Sequence, residues 1–180
     1  MGLTLGAGAA GWPLVHAAEV IPRKSPELTL RMDFGAQLRL GSLRGKVVCV
    51  EFLLTTCIHC QRCAAMLERM YEEFGPRGFT VLGAAINDNA GALIAGFVGS
   101  LGLKFPVGVC TQDQALEYLQ WDPNTQGPPM MPQLVFVDRQ GVVRSRHAGN
   151  SDYFRAGLDQ HLREEIAGLL GLAGAAPIGK

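Results

Sequence analysis

Two runs of the chain are apolar at nearly every position, which is typical of strands buried on both faces of a sheet. They cover Val47 to Leu54 and Phe79 to Ile86. Between them, residues 58 to 74 carry apolar side chains at intervals of three and four, which predicts an amphipathic helix that ends at Gly75-Pro76. A strand, a helix and a second buried strand in this order predict a βαβ unit.

The remaining patterns predict an α/β chain around this unit. Alternating apolar and polar residues predict two β-hairpins, one over Leu28–Met32 and Gln37–Leu40, the other over Gln133–Val137 and Val142–Arg146. Three helices are predicted: one after a cap at Asn87-Asp88-Asn89, one over Gln114–Leu119 and one from Phe154 to Leu170. An extended piece is predicted over Leu103–Val109, and a proline-rich loop from Asp122 to Met131. The alternation of strands and helices favours a mainly parallel sheet covered on both faces.

Composition indicates one globular domain. The chain has 180 residues, 48% of them hydrophobic, and a formal net charge of zero. The neutral charge gives no reason to expect binding to nucleic acid, which requires a basic surface. No stretch is long and apolar enough to predict a membrane span.

The N-terminal residues are interpreted separately from the domain. Leu3 to Ala18 is weakly apolar and ends in Val15-His16-Ala17, a small-x-small pattern typical of signal peptidase sites, but the usual basic start is missing. Two interpretations remain, the remnant of an export signal and a plain N-terminal tail. We therefore assign residues 1–26 to a leader and linker, 27–172 to the domain, and 173–180 to a flexible tail.

The clearest chemistry lies where the first buried strand meets its helix. Cys57 ends the connecting loop and Cys60 lies in the first helical turn. This spacing can bring two sulfurs within disulfide distance, and the free N–H groups of a helix start stabilise a thiolate, the attacking species in disulfide exchange. We predict that Cys57 is the nucleophile and Cys60 the resolving thiol.

Other functions compete with this interpretation. The pair could be half of a zinc site, or Cys57, Cys60 and Cys63 could hold a cluster, but Leu67 stands where a fourth cysteine is expected. A thiol peroxidase would carry a Pro-x-x-x-Thr-x-x-Cys segment, which is missing here. A copper chaperone would need a distant histidine, for which His147 is the only candidate and has no visible partner.

Several segments together resemble a known family. These are the N-terminal hairpin, Leu43-Arg44-Gly45-Lys46-Val47-Val48, the strand leading into Cys57-Ile58-His59-Cys60, Met131-Pro132 before a strand, and the turn Asp138-Arg139-Gln140-Gly141. Their order resembles the thioredoxin superfamily, specifically the exported thiol–disulfide oxidoreductases of the TlpA/ResA type. The resemblance implies an α/β thioredoxin-like fold: a central mixed sheet with helices on both faces, an N-terminal hairpin and an inserted α/β piece. The chain departs from the family at Thr56, usually Trp, and in its longer loop before Met131.

The resemblance also implies roles for individual residues. Pro132 would be a cis-proline beside the disulfide, and Met131 and Thr56 would contact the substrate. His59 would stabilise the first thiolate and tune the redox potential, although a solvated histidine at a helix start is the alternative.

Glu51 and Cys63 are the remaining candidates near the cysteine pair. A carboxyl group buried in an apolar strand should have a raised pKa and could take the proton from Cys60. The alternative is that Glu51 lies at the end of the strand and pairs with Lys46 or another surface cation. Cys63 lies on the buried face of the helix, where it packs in the core or serves as a third thiol, whereas Cys49 and Cys110 are expected to be inert.

The sequence thus predicts an enzyme that exchanges a Cys57–Cys60 disulfide with protein thiols and an unidentified redox partner. It is expected to be a monomer and to use no cofactor or metal. An extracytoplasmic location, in the periplasm or cell envelope, follows from the export interpretation, and a cytoplasmic one is the alternative.

Overall fold

The computed structural model describes residues 20–172. Its strands are β1 (Arg23–Lys24), β2 (Thr29–Arg31), β3 (Gln37–Arg39), β4 (Val47–Leu53), β5 (Phe79–Ala85), β6 (Val107–Val109), β7 (Gln133–Val137) and β8 (Val142–Ala148). Its α-helices are α1 (Ile58–Phe74), α2 (Ala90–Leu101), α3 (Gln112–Leu119), α4 (Pro123–Gln126), α5 (Asp152–Arg155) and α6 (Leu158–Leu170). The predicted leader up to Ala18 and the tail from residue 173 lie outside the described residues.

The described strands form one mixed sheet in the order β1-β8-β7-β4-β5-β6-β2-β3. Only β4 with β5 and β5 with β6 pair in parallel. The other neighbours pair antiparallel. The prediction of a mainly parallel sheet was therefore wrong, because the hairpins at both ends of the chain add antiparallel strands around a parallel centre. The mixed sheet that the family resemblance implied is confirmed.

Helices cover both faces of this sheet, as predicted. Alternate residues of a strand point to opposite faces. Val47, Cys49 and Leu53 of β4 pack in one cluster with side chains of α1, α2 and α6. Val48, Val50 and Phe52 pack in a second cluster with side chains of α3.

The sheet brings two loops together at one edge. α1 begins directly after the carboxyl end of β4. In the antiparallel β4–β7 pair, Phe52 lies opposite Gln133. The residues before Gln133, which are Met131 and Pro132, therefore continue along the sheet past Phe52, towards the end of β4 from which Cys57 follows.

Two segments differ from the sequence prediction near the termini of the domain. The segment 21–26, expected to be a linker, forms β1, which pairs with Val142 and Val143, and the Ser25 hydroxyl lies 2.8 Å from the Tyr118 hydroxyl. The predicted last helix is divided into α5 and α6 at Gly157, whose φ of 77° lies in the left-handed region that favours glycine.

Smaller differences concern the connections. α3 begins two residues earlier than predicted, because the Thr111 side chain accepts from the Gln114 N–H in a capping box. The predicted loop from Asp122 contains the short helix α4, capped by the Asp122 carboxylate. Within residues 20–172, no helix is long and apolar enough to cross a membrane.

Candidate active site

Cys57 is the N-cap residue of α1, and its side chain is half-buried. Its N–H donates to the Leu54 carbonyl at 3.0 Å, and its own carbonyl accepts from Gln61 at 3.0 Å. The first-turn N–H groups of α1 have no intrahelical acceptors, so they favour negative charge at this position. Cys57 is thus a partly accessible thiol at the start of a helix.

Cys60 lies behind it and is completely buried. Burial raises the pKa of the Cys60 thiol, and the neighbouring Cys57 thiol and the charge of Glu51 raise it further. The Leu54 N–H, which donates to Cys60 Sγ at 3.5 Å, opposes this effect. The two thiols of the pair are therefore chemically unequal, with the reachable one at the helix start.

Glu51 is fully buried in the middle of β4. Within residues 20–172, neither of its carboxylate oxygens has a hydrogen-bond partner. Burial raises its pKa to about 8; the neighbouring Cys63 thiol opposes this rise, and the charge of Cys57 adds to it. Lys46 is exposed before the start of β4, so the alternative of a Glu51–Lys46 ion pair was wrong.

Four thiols interact electrostatically with this carboxyl group. The pKa values of Cys49, Cys60 and Cys63 are all raised, mainly by burial and additionally by the charge of Glu51. The charge of Cys57 in turn raises the pKa of Glu51. When ionisable groups interact this closely, gaining or losing a proton at one changes the others. Cys49, expected to be inert, is therefore part of the site's electrostatics.

Cys110 is the exception among the five cysteines. It packs in the core cluster on the other face of the sheet. Burial raises its pKa to about 12. Its expected inert character agrees with this environment.

The loop that carries Cys57 is anchored by a residue that the sequence assigned to another role. Asn87 does not cap α2: the N-cap residue is Asn89, and it makes no side-chain cap bond. Instead, Asn87 Oδ1 accepts from the Thr55 N–H at 3.1 Å, and its Nδ2 donates to Thr55 Oγ1 at 3.1 Å. Gln61 Nε2 donates to the Thr55 carbonyl at 3.0 Å from the other side. These bonds fix the chain two residues before Cys57.

The Met131–Pro132 peptide bond is cis, as the family resemblance implied. Pro132 is buried and Met131 half-buried. Met131 packs against the same core cluster as Cys57. Thr56 and His59, on either side of Cys57 and Ile58, are exposed. The structure thus places Thr56, Cys57 and His59 where β4 leads into α1, and the Met131–Pro132 segment before β7, which pairs with β4.

A second polar group is centred on Glu165, whose charge also raises the pKa of Cys49, and the sequence analysis did not predict it. Glu165 on α6 accepts from Tyr153 Oη at 2.7 Å, interacts with His147 Nε2 at 3.0 Å and also accepts from Ser145. The rings of His147 and Tyr153 stack with centroids 3.6 Å apart. Burial alone would raise the pKa of Glu165, but the bonds from His147, Ser145 and Tyr153 lower it overall.

This finding corrects the statement that His147 has no partner. The three partners of Glu165 lie 12 to 20 positions before it, with no motif spacing that could reveal them. No group of three or more His, Cys, Asp or Glu side chains that could hold a metal occurs in the described part of the chain.

A mixed sheet with helices on both faces, a C-x-x-C at a helix start and a cis-proline before an antiparallel strand define a thioredoxin-like fold. The sequence profile described as the AhpC/TSA family matches residues 21–146, and the chain belongs to this family. Solved structures agree on the fold. A putative thiol:disulfide interchange protein DsbE from Chlorobium tepidum superimposes with a TM-score of 0.67 at 23% identity, covering 83% of this chain and 97% of that one.

Curated relatives agree with the TlpA/ResA-type resemblance. The thiol-disulfide oxidoreductase ResA of Geobacillus thermodenitrificans is 27% identical over 146 residues, which is 81% of this chain and 78% of the relative. Protein DipZ of Mycobacterium tuberculosis is 29% identical over 118 residues, or 63% of this chain. The chain spans only 16% of the length of DipZ.

Replacing Glu51 by Gln should change how stability depends on pH. Below the ordinary glutamate pKa, about 4.3, the carboxyl is protonated in both the folded and the unfolded chain. Between that value and the folded pKa of about 8, only the unfolded chain ionises, so stability falls by about 1.4 kcal/mol per pH unit. Above the folded pKa the loss is complete.

Glu51→Gln should lack this slope and be the more stable protein at pH 8, as measured by urea unfolding under reducing conditions between about pH 5 and pH 8. Glu164→Gln, which removes an exposed carboxylate, is the matched control and should retain the slope of the wild type. Parallel profiles for wild type and Glu51→Gln would contradict a raised pKa.

Proposed function

We propose that the protein is a thiol–disulfide oxidoreductase that exchanges a Cys57–Cys60 disulfide with protein thiols. The observation that carries this proposal is the difference in burial among three groups. Cys57 is half-buried at the start of α1, whereas Cys60 is buried and Glu51 is a buried carboxyl group without a hydrogen-bond partner within the described residues. The relatives named thiol-disulfide oxidoreductase support it.

The reduced protein would act in two steps. The Cys57 thiolate attacks one sulfur of a substrate disulfide; the substrate S–S bond breaks, and the departing sulfur takes up a proton from solvent. A mixed disulfide now joins Cys57 to the substrate. Cys60 then loses its proton and attacks Cys57 Sγ, which breaks the mixed disulfide, releases the second substrate thiol and leaves a Cys57–Cys60 disulfide. Two electrons pass from protein to substrate, and the reverse sequence oxidises a substrate dithiol.

Glu51 would be the base of the second step. Cys60 cannot exchange protons directly with bulk water because it is completely buried. A carboxyl group with a pKa of about 8 accepts and returns a proton near neutral pH, where a general base works best. Its charge also acts on Cys60 itself, so the two groups are coupled as this role requires.

The neighbouring residues would bind the substrate and adjust the redox potential. Thr56 and the Met131–Pro132 segment would contact the substrate polypeptide. His59, exposed in the first turn of α1, would stabilise the Cys57 thiolate by its positive charge.

The wider setting is proposed from the sequence. The protein would act as a monomer outside the cytoplasm, on protein thiols and with a redox partner still to be identified. Peroxide reduction is not favoured, although the matching family is described as AhpC/TSA. The peroxidase segment has a proline seven residues before its cysteine. Val50 stands at that position before Cys57, and Leu53 before Cys60.

The cysteines should differ in reactivity as their environments differ. Brief alkylation of the reduced protein near neutral pH should label Cys57 first, because the other four thiols are buried and have raised pKa values. Peptide mapping by mass spectrometry identifies the labelled residue. Faster labelling of Cys60 or Cys63 would refute the assignment of the nucleophile.

The same assignment should hold in turnover. Cys57→Ser should abolish catalysed reduction of insulin by dithiothreitol, since an alcohol does not replace the thiolate at neutral pH. Cys110→Ala, which alters the cysteine on the other face of the sheet, should keep activity. Full activity in Cys57→Ser would exclude the proposed mechanism.

His59 should make the Cys57–Cys60 couple more oxidising. Its loss in His59→Gln should lower the reduction potential, measured by titration against glutathione or dithiothreitol, by up to roughly 30 mV, a tenfold change in the equilibrium constant. Arg62→Gln removes another exposed cation of α1 and should have a smaller effect; equal shifts, or none, would leave His59 without a tuning role.

A further inference from the structure

Gln133 is an unusual residue for its position. It begins β7 directly after Pro132, lies between Phe52 of β4 and Ala148 of β8, and is completely buried. Its Nε2 donates to the Met130 carbonyl at 2.8 Å, while its Oε1 has no hydrogen-bond partner within the described residues. Burying an amide group of which only the nitrogen is hydrogen-bonded costs free energy. The presence of Gln133 at this buried position therefore requires an explanation.

The Met130 carbonyl has a second donor. The Gly149 N–H, just after β8, donates to it at 3.2 Å. Gly149 also lies close to the cis peptide: a Cβ at this position would be 2.5 Å from the Met131 carbonyl oxygen and 2.7 Å from its carbon. Gln133 and Gly149 thus hold the chain immediately before Pro132 from two strands.

The segment held in this way presents apolar surface at the active-site edge. Met130 is 55% exposed, and Ile58, which follows Cys57, is 52% exposed. They are two of the four large apolar side chains exposed within residues 20–172. The preceding loop is ordered as well, since Trp121 Nε1 donates to the Gly127 carbonyl at 2.8 Å.

Gln133 lies on the opposite face of the sheet from the thiols. Leu134 and Phe136 pack in the cluster that contains Cys60, and Val135 and Val137 pack in the other one. By the alternation of side chains along a strand, Gln133 faces the side of Val135. It can therefore act on the position of Met130 without acting on the charge of Glu51 or Cys60.

We propose that Gln133 is a positioning residue that fixes the Met130 carbonyl, and thereby the edge of the site that receives an apolar polypeptide segment beside the substrate cysteine. This inference rests on the proposed disulfide exchange. A polypeptide substrate must lie along the Met130–Pro132 segment to reach Cys57, whereas a small disulfide needs only the sulfur itself. Gln133 accordingly determines the rate with polypeptides and leaves the dithiol chemistry unchanged.

The test compares two substrates. Gln133→Met keeps the length of the side chain and removes the donor. Its kcat/KM for insulin reduction should fall at least about fivefold, as expected for loss of a buried hydrogen bond. Its rate with a small aromatic disulfide such as dithiobis-nitrobenzoate, and its reduction potential, should match those of the wild type.

Two further variants complete the design. Gly149→Ala, which would displace the Met131 carbonyl, should show the same selective loss, so the test does not depend on one variant folding. Gln160→Met makes the same substitution at an exposed site on α6 and should leave both rates unchanged.

The outcomes separate the inference from the function. Equal decreases in rate with both substrates would overturn the positioning role while leaving disulfide exchange intact. An unchanged rate of insulin reduction in both Gln133→Met and Gly149→Ala would do the same. A wild type inactive on both substrates would overturn the proposed function, and this inference with it.

Discussion

The proposed chemistry of the site depends on one unfavourable placement, the buried carboxyl group of Glu51 in the apolar layer between β4 and α1. A charge buried without a partner costs several kcal/mol, so the group avoids ionisation at ordinary pH. Its pKa rises to about 8 for this reason. Nothing in the packing of the domain needs a carboxyl there, because neighbouring positions of β4 are filled by apolar side chains. The proposed proton transfer to and from Cys60 would explain why the residue is there.

The topology supplies the rest of the site. Because β4 ends where α1 begins, the N-cap position falls on Cys57 and the first inward-facing position on Cys60. Because β7 runs antiparallel to β4, the chain before Gln133 reaches the same edge. Asn87 on the next parallel strand's loop holds the approach to Cys57. The sheet thus brings together three loops that are far apart in sequence.

The sequence predicted those features that depend on local pattern. Two apolar runs predicted β4 and β5, and apolar residues with a helical period of 3.6 predicted α1. These two patterns together placed Cys57 and Cys60 at the junction of β4 and α1. The position of Glu51 within a buried strand sufficed to predict its burial and the direction of its pKa shift.

Features that depend on long-range contact could not be predicted. The Asn87–Thr55 bonds join residues 32 positions apart, and Asn87 resembles a helix cap when it is considered alone. The partner of His147 is 18 residues away on α6. β1 is only two residues long, too short for any periodicity, and it forms because β8 offers an edge. Gln133 also looks like an ordinary polar residue at a strand start until its contact with Met130 is seen.

The most direct test of this account is the titration of the Glu51 carboxyl group in the reduced protein. Carbon-13 NMR of protein labelled at the glutamate side-chain carboxyl, with Glu51→Gln to assign the resonance, measures it without reference to activity. The account predicts a midpoint near pH 8. A midpoint near the ordinary glutamate value of about 4.3 would show that Glu51 is ionised at neutral pH without cost, and would contradict its role as the base for Cys60.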